Sequence, residues 1–124
     1  MDRNQHGYSE GEMRLFGFNM IWERRREWSW KTFGPPEVRG PVGALKHLVK
    51  EAAEALDTPG NIIEYADCLL LILDAADRAG FTELELLNAT LDKLAVNEKR
   101  AWPDWRGADP AIPIEHDRSS DENA

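Results

Sequence analysis

The stretch "KEAAEALDTPGNIIEYAD", Lys50 to Asp67, carries two pairs of carboxylic acids at the same spacing, Glu51 with Glu54 and Glu64 with Asp67. On a helix, residues three apart lie about 60° apart around the axis and about 4.5 Å apart along it, so both members of a pair point the same way. The breaker "DTPGN" between the pairs places them on consecutive helices. On the first of these helices His47, Glu51 and Glu54 share one stripe bordering the apolar face. On the second, Glu64, Asp67, Asp74 and Arg78 share a stripe that passes through Leu71.

For Glu51 and Glu54 alone, a pair of solvated surface charges remains an open reading. It weakens for Glu64 and Asp67, because their helix is apolar on most sides and a buried, unpaired carboxylate costs several kcal/mol. Few cations lie on these helices, so a divalent metal is the economical compensation. Oxygen-only ligands select hard ions such as Mg²⁺ or Mn²⁺, which keep several waters and complete their shell with substrate phosphates. Cys68 and His47 are too few and too scattered to argue for zinc.

The elements that must position these groups read as four helices. A first helix is expected from about Met13 to Phe33, ended by Gly34, Pro35 and Pro36, its apolar face diluted by "ERRRE". Gly40 and Pro41 introduce a second, with Val42, Leu45, Val49, Ala52 and Leu56 forming an amphipathic stripe. The third, about Ile62 to Ala79, is apolar nearly all round, which predicts burial on most sides, and Gly80 stops it. The fourth opens on a capping box, Thr82 with Glu85, with Phe81 and Leu86 as the matching staple, and should reach about Arg100. No strand-like alternation occurs. The expected organisation is a flexible start over 1–12, a helical domain over 13–105 and an irregular acidic tail over 106–124, with Trp102 and Trp105 packing back.

With 124 residues the chain suits one domain. Its 23 Asp and Glu against 15 Lys and Arg argue against a nucleic acid polymer as partner, while a single nucleotide bridged by cations is compatible with that charge. The single cysteine, Cys68, lies in an apolar run and excludes an internal disulfide. "CLLLIL" is far shorter than the roughly 20 residues that cross a bilayer, and the opening residues lack a signal-peptide pattern. A soluble protein of the cytoplasm, with no membrane partner, is the expectation.

"KEAAE" and "EYAD" resemble the ExxE…ExxD signature of the MazG-like all-α nucleoside triphosphate pyrophosphohydrolases. "WKTFG", "HLVKEAAE", "EYADCLLLILDAADRAG" and "KLAVNEKRAWP" extend the resemblance over about residues 28–105, toward the phage and bacterial branch associated with purine deoxynucleoside triphosphates. Lys50 stands where the family has the first of two adjacent glutamates, and the gap between the acidic pairs is short. The resemblance implies a four-helix MazG-like bundle completed by oligomerisation, as a homodimer or dimer-based tetramer. It implies metal-dependent hydrolysis of a purine triphosphate, dGTP, GTP or dATP, to the monophosphate and pyrophosphate. Glu51, Glu54, Glu64 and Asp67 would hold Mg²⁺ or Mn²⁺, with Glu51 or Glu54 also accepting a proton. Lys93, Asn97 and Arg100, on one face of the fourth helix, would grip phosphate; Trp30 and His47 would lie near the base. If the chain is phage-encoded, its place of action would be the host cytoplasm. The competing readings are a phosphoribosyl-ATP pyrophosphatase and a non-catalytic helical interaction module.

Overall fold

A computed structural model describes residues 5–118. The fold is all-α: α1 (Glu10–Phe33), α2 (Val42–Asp57), α3 (Ile62–Arg78) and α4 (Glu83–Lys99), followed by one 3-10 turn at Trp105–Gly107. No strand occurs among the described residues. Of the expected flexible start and irregular tail, residues 1–4 and 119–124 lie outside the described residues.

α1, α3 and α4 begin where a side chain satisfies backbone N–H groups that the helix itself leaves unpaired, whereas α2 opens after Pro41 without a side-chain cap. α1 starts at Glu10, earlier than its apolar pattern suggests, because Ser9 and Glu12 form a reciprocal capping box. Asn61 Oδ1 accepts from the Ile63 N–H at 3.1 Å to open α3. The expected box at Thr82 and Glu85 is present, with bonds of 3.0 and 3.1 Å. The Thr82 backbone N–H, then its hydroxyl, hold the Glu85 carboxyl below its ordinary pKa. Gly34 ends α1 at φ +97°, a conformation other residues rarely adopt.

The chain forms two compact units whose boundary falls within α4, one running to Leu86 and the other from Leu87. In the first, α2 and α3 make a helical hairpin across the turn at 58–61, and α1 packs on α3. The Tyr65 hydroxyl donates to the Pro59 carbonyl at 2.8 Å and steadies that turn.

The centre of this unit is ionic as much as apolar. Trp22, Leu73 and Ala75 are its fully buried hydrophobic residues among those described, and Arg25, Ser29, Asp77 and Arg78 are buried as well. Arg25 bonds Asp74 at 2.9 Å and Asp77 at 3.0 Å, joining α1 to α3. Asp77 also accepts from both Arg26 donors and, at 3.0 Å, from the Trp30 indole N–H. Burial pushes the Asp77 carboxyl up, but the hydrogen bonds from Arg26 and Arg25 outweigh it and hold the group below its ordinary value. The same bond to Asp77 raises the Arg26 guanidinium above its usual pKa. Arg78 bonds Asp74, the carbonyls of Gly34 and Arg39, and Ser29, so one guanidinium ties α3 to the end of α1 and the linker after it.

The expected burial of α3 on most sides is not met: Ile62, Ile63 and Leu69 are 77, 61 and 46 % exposed. The helices packed on α3 in this unit cover only part of its circumference, leaving apolar surface uncovered. Among the described residues, no helix is long and apolar enough to cross a membrane.

In the second unit the segment after α4 folds back on itself. The Asp117 N–H donates to the Ala101 carbonyl at 2.7 Å and closes the loop. The Trp102 indole N–H reaches the Asn97 carbonyl at 2.7 Å, and its ring meets His116 edge-on. Trp105 remains exposed under the Arg106 guanidinium.

Candidate active site

The short turn between α2 and α3 sets the C-terminal half of α2 beside the start of α3. Carboxylate oxygens of Glu51, Glu54 and Glu64 therefore lie within 4.8 Å of one another. The hydrogen bond to Glu51, then the charges of Glu51 and Glu64, hold the exposed Glu54 carboxyl above its ordinary pKa, with Lys50 opposing weakly.

Glu64 Oε2 is buried and has no hydrogen-bond partner among the described residues. A buried carboxylate oxygen without a partner, on a residue grouped with two further carboxylates, is a costly arrangement for the chain alone. In donor type and in this unmet demand the cluster suits a hard divalent cation. Glu51, Glu54 and Glu64 would hold it.

Asp67 lies one turn beyond Glu64 on α3. It is outside the three-carboxylate group and instead lines, with Glu51, a cavity of about 240 Å³. His47 Nε2 is 2.9 Å from Glu51 Oε1, one turn earlier on α2, and lines the same cavity. The cavity's walls are largely apolar: Trp28 and Phe33 from α1, Leu70 and Leu71 from α3. Trp28 and Phe33 meet edge-on, with ring centroids 5.3 Å apart.

Trp30 stands elsewhere. Its indole N–H is bonded to Asp77, the Arg26 guanidinium lies 4.8 Å from its ring, and it lines an open depression with Asn19 and Glu23. Two residues along a helix turn the chain by about 200°, so Trp28 and Trp30 in "EWSWKTF" face opposite ways. Only tertiary packing decides which of them meets the carboxylates. Trp28 and Arg25 thus join Phe33 of "WKTFG" in lining the candidate site; the sequence reading passed over the first two, and the W-x-W spacing was the signal that a choice existed.

Lys93, Asn97 and Arg100 belong to the second unit. Lys93 and Asn97 are on α4, whereas Arg100 falls just past its end and donates to Asn97 Oδ1 at 3.3 Å.

Comparison with known proteins matches these features to a family. The chain is 42 % identical over 94 residues to the "Eaa protein" of Salmonella phage P22, an alignment covering 76 % of this chain and 29 % of that protein. It is 39 % identical over 77 residues to a "dATP/dGTP diphosphohydrolase" of Salmonella phage PMBT28, covering 60 % of this chain and 24 % of that protein. The chain therefore spans less than a third of the length of these relatives. No solved structure matches it. A model of the dATP/dGTP pyrophosphohydrolase family matches residues 21–121, a span that contains all four acids and the cavity walls, and the chain belongs to that family.

Proposed function

We propose that the protein hydrolyses a purine (deoxy)nucleoside triphosphate between the α and β phosphates, releasing the monophosphate and pyrophosphate. The observation that carries this reading is the convergence of Glu51, Glu54 and Glu64, with one oxygen buried and unpartnered, at the edge of an apolar cavity. The family and the name of the phage PMBT28 relative point to the same chemistry.

In this reading Glu51, Glu54 and Glu64 would hold Mg²⁺ or Mn²⁺, with Asp67 as a further ligand. The ion supplies charge neutralisation and polarisation at the phosphoryl oxygens when bound. Glu51 or Glu54 takes the proton of the attacking water as the new O–P bond forms and the bond to the bridging oxygen breaks. The electron pair of that bond leaves with pyrophosphate. His47, hydrogen-bonded to Glu51, fixes the orientation of that carboxylate.

The exposed apolar surface of α3 supports assembly into a homodimer or dimer-based tetramer, since uncovered patches of this kind mark association surfaces. Light scattering after size exclusion should give at least twice the 14.1 kDa chain mass. The free Cys68 suits the reducing cytoplasm of a host cell.

The test is phosphate release from a panel of nucleotides with inorganic pyrophosphatase added, with and without Mn²⁺. Purine deoxynucleoside triphosphates should release phosphate only through the coupled enzyme and only with metal. Release of orthophosphate without the coupling enzyme, or turnover confined to phosphoribosyl-ATP, would overturn the assignment.

A further inference from the structure

We infer that Asp74 reads the base: its carboxylate accepts a hydrogen bond from an amino group on the purine held in the apolar cavity, so tight binding requires a ring that carries such a donor. This deepens, and rests on, the triphosphate reading above.

At about 240 Å³ the cavity is smaller than the roughly 300–1,000 Å³ of ordinary small-molecule sites, so it suits one ring system rather than a whole nucleotide. Trp28, Phe33, Leu70 and Leu71 offer that ring an apolar, partly aromatic enclosure. Glu51, a member of the carboxylate cluster, and Asp67 mark the phosphate side. Asp74 lies two turns beyond Asp67 on α3, about 10.5 Å along the axis and on nearly the same face. A second cavity of about 120 Å³ shares Phe33, His47, Leu71 and Asp74 with the first, so Asp74 borders both hollows.

The other polar groups of the wall have their hydrogen bonds assigned. The Arg25 guanidinium donates to Asp74 and Asp77 and lies 4.8 Å from the Trp22 ring. The Ser29 hydroxyl donates to Asp74 and accepts from Arg78. His47 and Glu51 are bonded to each other. Asp74 differs. Its Oδ1 accepts from Arg25 at 2.9 Å and from Ser29 at 2.6 Å, while Oδ2 accepts from Arg78 at 2.9 Å. A carboxylate offers about four acceptor positions, so these bonds leave one. The side chain keeps 13 % of its surface exposed while lining the cavity, which puts it within a ligand's reach.

An ionised carboxylate accepts and does not donate. The ring edge that meets Asp74 must therefore present an N–H; a ring nitrogen or carbonyl there would set acceptor against acceptor, and both would lose water without replacement. Adenine carries an amino donor at C6 and guanine one at C2. With a single position open, neither gains a second bond over the other. Asp74 thus accommodates both aminopurines and disfavours a purine that lacks the amino group.

Uncharged nucleosides test this without metal or phosphate. Binding of deoxyadenosine, deoxyguanosine and purine deoxyriboside to the full chain is measured by calorimetry in chelator; the last has the same ring system and no amino group. Both aminopurines should bind about tenfold more tightly than purine deoxyriboside, as expected for one bond to a charged acceptor. Magnetic resonance on protein isotopically labelled at its aspartate carboxyl carbons identifies the acceptor without any substitution. The Asp74 signal should move further with deoxyadenosine than with purine deoxyriboside at equal occupancy, and Asp67→Asn should keep the affinity ratio. The inference is overturned if either aminopurine binds no more tightly than purine deoxyriboside, if the Asp74 signal moves equally with both ligands, if Asp67→Asn loses the ratio, or if none binds at millimolar concentration. Triphosphate hydrolysis without the ratio defeats this inference alone. The ratio without hydrolysis defeats the functional reading instead.

Discussion

Replacing Asp77 by Asn removes one charge from the joint between α1 and α3 while keeping its shape. Asp77 is 3 % exposed and accepts from Arg25, Arg26 and Trp30, so its loss leaves the Arg25 guanidinium, itself buried, with Asp74 as its remaining carboxylate partner. Breaking one side of a buried ion pair typically costs about 3–5 kcal/mol, because the surviving charge stays out of water. For a domain of this size that corresponds to a fall in Tm of about 12–20 °C. Calorimetric melts at a fixed protein concentration measure it. Acidity gives a second readout. The folded pKa of Asp77 lies below its unfolded value of about 3.9, so its contribution is complete above that pH and is lost as the pH falls through the folded pKa. Wild-type Tm should drop steeply below about pH 4, and Asp77→Asn should flatten that drop. A neutral-pH loss under about 1 kcal/mol, within the range of exposed pairs, would refute the claim that this network holds the two helices together.

Two further outcomes follow from the same geometry. Glu64→Gln should raise the melting temperature of metal-free protein by relieving repulsion, and should abolish the Mn²⁺-dependent stabilisation expected of the wild type, about 2.7 kcal/mol at 100 times Kd; a variant still stabilised by Mn²⁺ would contradict the cluster's role. Thr82→Ala removes one half of the α4 capping box and should cost about 1 kcal/mol by urea titration, with the Glu85 carboxyl returning toward its ordinary pKa.

Much of the helical framework was legible because its signals are local. Gly34, Asn61 and the Thr82 box mark boundaries with residues whose backbone or side-chain chemistry acts within one turn. The start of α1 was harder only because Ser9 and Glu12 sit in a polar turn with no apolar period to draw attention to them. The carboxylate cluster could be anticipated from two spacings and a short turn. The ion joint could not: Arg25, Arg26, Asp74 and Asp77 are 48 to 52 positions apart, and nothing local says which arginine of "ERRRE" turns inward. Trp28 and Trp30 pose the same problem at shorter range, since their two faces exchange roles with a single rotation of α1. The exposure of α3 was not legible because a pattern of apolar residues does not say how much of a helix its neighbours cover.

One guanidinium both fastens α1 to α3 and borders the cavity beside the carboxylates. A change at Arg25 therefore reshapes the cavity wall and loosens the scaffold at once. Phe33 and Leu70, which border the same hollow without a place in the ion joint, can be exchanged with the scaffold left intact.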